Sequence, residues 1–78
     1  MMHTISLQDT VYDVIKTYPE VREILIDLGF TPLRDDAMLH TAGRMMTIGR
    51  AAKQFGLSYE TIDHAMKIHG FQLKETEL

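Results

Sequence analysis

Cysteine is absent from all 78 residues, so no disulfide staples this chain, no thiolate can act as a nucleophile and no thiolate metal site can form. A chain this short buries only roughly 60% of the surface its unfolded form exposes. Apolar packing and helix caps must therefore close a small core unaided. No apolar run approaches the roughly 18 residues of a membrane span, and Met1-Met2-His3-Thr4 lacks the basic start and long apolar stretch of a secretory leader. The expectation is a cytoplasmic protein that does not enter a membrane. Strong charge of one sign is missing too: 8 Lys and Arg stand against 11 Asp and Glu, a net charge of −3. What is present is ordinary globular composition, 45% hydrophobic and 24% charged, which predicts one folded domain over residues 1–78.

Strand-like alternation is scarce as well, confined to Ile5 and Leu7 as a short extended lead-in. Helical spacing, in contrast, recurs four times: Val11, Val14, Ile15 and Tyr18; Val21, Ile24, Leu25 and Leu28; Ile48, Ala51, Ala52 and Phe55; and Tyr59, Ile62, Ala65 or Met66, and His69. Positions i, i+3, i+4 and i+7 share one face of a 3.6-residue period. Thr10 with Asp13 three residues on suits a capping box, and Thr47 and Ser58 are natural N-caps. Pro19 lacks an amide hydrogen and disfavours helical Tyr18, so it separates the first two helices. Asp35 or Asp36 can cap a short helix through Ala37, Met38, Leu39 and Ala42 before Gly43. Three helix stops read glycine then a large apolar residue, Gly29-Phe30, Gly56-Leu57 and Gly70-Phe71, the pattern of a Schellman cap. These signals predict an all-α fold, a compact bundle of about five short helices, with a helix-turn-helix-like pair over residues 48–69. The ordered part spans about residues 4–71, and the polar tail 72–78 is expected to fray.

Conventional chemistry is missing. His64 and His69 stand about 140° apart around a helix, too far to share a metal as an i, i+4 pair does. His3 falls in a terminus expected to be mobile, and His40 in the short helix. Without a glycine-rich phosphate loop or a nucleophile elbow, no catalytic, metal or cofactor-binding residue is assigned, and the chain reads as a non-enzyme.

The helix pair invites a DNA-binding reading, in which the helix from Tyr59 to His69 enters a major groove and presents Ser58, Tyr59, His64 and Lys67. Glu60 and Asp63 would face the polyanion from the same helix, and it carries no arginine. Residues 1–42 carry three basic residues against seven acids, and residues 43–74 five against two. That asymmetry suits a protein partner, or pairing of the halves, better than nucleic acid. Six methionines are many for this length. Methionine fills irregular cores, but adjacent Met45 and Met46 cannot both point inward. With Met38 and Leu39 they would form an adaptable apolar patch for a partner helix, a neighbouring domain or a second copy.

The order Thr10-Val11, Tyr18-Pro19-Glu20, Leu25 to Leu28 with Gly29-Phe30, Ala37-Met38-Leu39, Arg44-Met45-Met46-Thr47-Ile48 and Gly70-Phe71 resembles the DUF1858 domain family. The resemblance runs from about Thr4 to Phe71. It implies a small helical domain, found alone or attached to larger proteins with sensory or hemerythrin-like modules, of unassigned molecular role. One branch, the redox-disulfide domains associated with hybrid-cluster proteins, carries cysteines shortly after the Leu-Gly stop. Here Phe30-Thr31-Pro32-Leu33 stands in that place, so the cysteine-free branch is the closer match.

The expectation is thus a non-enzymatic interaction or regulatory module, working protein to protein through Met38, Leu39, Met45 and Met46, with homo-oligomerisation open. DNA binding through Tyr59 to His69 is the alternative. A third class is small-ligand binding near His40 and Met46.

Overall fold

The computed structural model describes residues 3–74. Its elements in chain order are strand β1 (His3–Ser6), helices α1 (Val11–Thr17) and α2 (Val21–Leu28), a 3-10 turn (Thr31–Arg34), helices α3 (Asp36–His40), α4 (Ala42–Met45), α5 (Ile48–Gln54) and α6 (Tyr59–Ile68), and strand β2 (Phe71–Lys74). The four periodic segments are all helices, and three of them, α1, α5 and α6, carry side-chain N-caps. The hydroxyls of Thr10, Thr47 and Ser58 accept from the amides of Asp13, Arg50 and Thr61 at 3.1, 3.1 and 3.2 Å, each satisfying one orphan N–H of a first turn. The entries to α1 and α5 are also tied to each other. Val11 N donates to Met46 O and Ile48 N to Asp9 O, both at 2.9 Å. At the end of α2, Gly29 takes φ +124°, and Phe30 N donates to Leu25 O at 3.0 Å, which turns the Phe30 ring into the core.

The expectation of an all-α fold is corrected: the chain is mostly helical but also contains a two-stranded parallel sheet. β1 and β2 pair in the register His3 with Phe71, Thr4 with Gln72, Ile5 with Leu73 and Ser6 with Lys74. Parallel neighbours need a long crossover, and here α1 to α6 all lie within it. The alternation is strict in β2. Ile5, Phe71 and Leu73 are buried, while Thr4, Gln72 and Lys74 face solvent. Two further expectations change with the sheet. His3 is not in a loose end, since its amide donates to Gly70 O at 3.2 Å and its ring lies 4.9 Å from Tyr18 and 5.9 Å from Phe71. Gln72 to Lys74 belong to a strand rather than to a fraying tail; the rest of that tail lies outside the described residues.

The single short third helix is also replaced, by a 3-10 turn, α3 and α4. Asp35 does cap, accepting from Ala37 N at 2.9 Å. The helical path then breaks at Thr41 and resumes through Gly43 instead of stopping before it. Gly43 is buried where α4 crosses α1, and a methyl group there would come within 3.3 Å of Leu39 Cδ1 and 3.8 Å of Tyr12 N. The small residue therefore permits close helix contact and ends nothing. In the pair over residues 48–69, α5 and α6 flank Gly56 at φ +70°, with Ala52, Ile62 and Met66 buried. The principal neighbours of α6 are β2 and α2.

Candidate functional site

An apolar cleft opens between the 3-10 turn, α3, α4 and α5. Phe30, Pro32 and Leu33 form one wall, Met38, Ala42, Gly43 and Met46 the second, and Ala51, Gln54 and Phe55 the third, over Val11 of α1. Its volume is about 130 Å³. Local chemistry sets each wall. The Schellman stop of α2 delivers Phe30, and Pro32 suits the first turn of a helix because it needs no amide partner. Arg22 of α2 then fixes the 3-10 turn and α3 together: its Nε donates to Leu33 O at 2.7 Å, and its guanidinium pairs with the Asp36 carboxylate at 2.7 Å. Across the cleft, the Phe55 ring meets Phe30 edge to face, with centroids 5.0 Å apart and planes at 73°.

The mouth stays apolar. Met38 is 41% and Phe55 37% exposed, and Met46 is half-buried. Gln54 contributes the one polar side chain of the lining, and no charged group enters it. Beyond Met46 and Gln54 the cleft runs into an open groove of about 590 Å³, lined by those two residues with Arg50 and Lys53.

The four methionine-patch residues separate. Met38 and Met46 line the cleft. Met45 is 82% exposed and lies outside its lining. Leu39 is a core residue, 6% exposed, so it supports the patch from beneath instead of forming its surface. Phe30, Leu33, Gln54 and Phe55 complete the cleft without having been singled out for it. Their signal was present at Phe30 and Phe55, each beside a helix-ending glycine, where an aromatic ring is placed at an element boundary.

His40 is not in this cleft, although Met46 is. Its Nδ1 lies 2.8 Å from Asp36 O, and its ring packs edge-on against Tyr12, over whose face Arg44 sits at 4.3 Å. On α6, Lys67 pairs with Asp63 at 3.1 Å, which already engages one cation of the presumed DNA-facing surface. The Tyr59 hydroxyl donates to Leu73 O at 3.4 Å, and the Ser58 hydroxyl lies 2.9 Å from that of Thr61. His64 is exposed on the same helix. Among the described residues, no three His, Asp or Glu side chains group as metal ligands.

Comparison with known proteins gives a family and a fold. The model of a family described as a domain of unknown function, DUF1858, matches residues 5–62. The crystal structure of a conserved domain protein from Streptococcus pneumoniae TIGR4 is 30% identical, with a TM-score of 0.90 over 99% of this chain and 98% of that one. The shared fold therefore extends past residue 62, into the segment that holds β2. No curated protein matches.

Proposed function

The chain belongs to the DUF1858 domain family, and from that premise we propose that it is a non-enzymatic protein–protein interaction or regulatory module whose docking face is the cleft rimmed by Met38, Met46 and Phe55. One observation carries this reading: two large apolar side chains stand more than a third exposed at the mouth of an apolar depression, in a domain whose other large side chains are mostly buried. Flexible methionine at such a rim adapts to a partner's shape. We assign it to the cysteine-free members of its family, since the chain has no cysteine and Phe30, Pro32 and Leu33 line a cleft where the redox branch would carry thiols. We place its action in the cytoplasm; no helix of the described residues is long and apolar enough to cross a membrane.

Capture from the host cytosol tests the reading when the wild-type chain is compared with Met38→Glu, a change at an exposed position that leaves the core intact. The wild type is expected to retain a partner chain that the variant loses. Equal capture by both would contradict a docking role for the cleft.

A further inference from the structure

We propose that the cleft receives one large apolar side chain, Leu, Met or Phe, from an acidic amphipathic helix of a partner protein, with that helix's carboxylates lying along Arg50 and Lys53. This rests on the cleft being a docking face and specifies what docks there. Size is the first argument. The apolar cleft itself, at about 130 Å³, is close in size to a dry cavity of about 150 Å³ that holds benzene. One side chain fits. A lining whose polar contribution is Gln54 alone also lacks the convergent polar groups that orient a metabolite.

Charge is the second argument. The groove that continues the cleft past Met46 and Gln54 is lined by Arg50 and Lys53. Among the described residues neither forms an ion pair, whereas Arg22 and Lys67 do and Arg44 is spent on the Tyr12 ring. Arg34, at the end of the 3-10 turn, is exposed as well. Asp36 is engaged by Arg22, and Asp35 by the α3 amide that it caps. The site thus offers unpaired positive charge beside an apolar hole, on a chain whose net charge is −3. Arg50 and Lys53 are three residues apart and share one face of α5. A helix that places carboxylates one turn from its apolar anchor meets both features at once.

A random peptide library displayed on phage and selected against the full chain tests this without knowledge of the natural partner. Enriched peptides are expected to share one Leu, Met or Phe with Asp or Glu three or four residues away. A synthetic peptide of that sequence should bind about tenfold more weakly to the Arg50→Glu, Lys53→Glu double variant, the size expected of two exposed charge contacts. It should also lose binding to Met38→Glu, with circular dichroism verifying that both variants are folded. Neutral or basic peptides that still require Met38 would overturn the acidic partner while leaving the docking face in place. Absence of enrichment, or enrichment blind to Met38→Glu, would overturn both. A concentration-dependent dimer abolished by Met38→Glu would give the cleft to a second copy of the chain and overturn the proposal.

Discussion

Phe71→Ala is expected to destabilise the domain by about 3–5 kcal/mol, the usual cost of removing a buried aromatic ring and leaving a cavity. Phe71 is 1% exposed, its ring lies 5.2 Å from that of Tyr18 and 5.9 Å from that of His3, and its residue pairs with His3 across the sheet. At roughly 0.05–0.15 kcal/mol per residue, a domain of this length has about 4–12 kcal/mol in total. The substitution therefore removes a quarter or more of the stability. Urea denaturation followed by far-UV circular dichroism measures it, with Phe71→Leu as a milder control that keeps most of the volume. A loss below about 1 kcal/mol, the level of an ordinary surface or near-surface change, would show that β2 does not close the core.

Phe55→Ala should behave in the opposite way. Its ring is more than a third exposed, and its main definable contact is the edge-to-face pair with Phe30, worth about 0.5–1.5 kcal/mol. The helix stop survives, because Phe55 N donates to Ala51 O and Leu57 N to Ala52 O through the backbone. A stability loss of about 1–2 kcal/mol follows, small enough for the domain to remain folded. Partner affinity should fall by about tenfold or more, since an aromatic that lines a docking pocket and is covered by the partner contributes more than about 1 kcal/mol when truncated. Titration of the captured partner onto both proteins separates the two effects. A large fall in stability with unchanged affinity would reassign Phe55 to the core.

The contrast between the two phenylalanines shows which parts of the molecule are legible in the sequence. Helix positions are local: the spacing of Val21, Ile24, Leu25 and Leu28 and the hydroxyls of Thr10, Thr47 and Ser58 specify their elements within a few residues. The sheet is not local. Phe71 and Leu73 alternate over only four residues, too short to separate from a polar tail, and their partners lie at the other end of the described chain. Gly43 was ambiguous for the same reason, because a glycine after an apolar run reads as a stop unless the helix crossing it is known. The cleft draws on residues from Val11 to Phe55, so Met38 and Met46 could be suspected from composition while Phe55 and Leu33 could not be joined to them. Leu39 beside Met38 shows the limit of neighbourhood in sequence, since consecutive residues of one helix face opposite environments.

The most direct test of the docking face is methyl NMR of the full chain with labelled methionine, titrated with the captured partner. The Met38 and Met46 methyl signals are expected to shift and broaden together, while Met66, fully buried in α6, stays in place as an internal reference. Met38 and Met46 signals that stay unmoved at saturating partner would contradict the cleft as the functional surface.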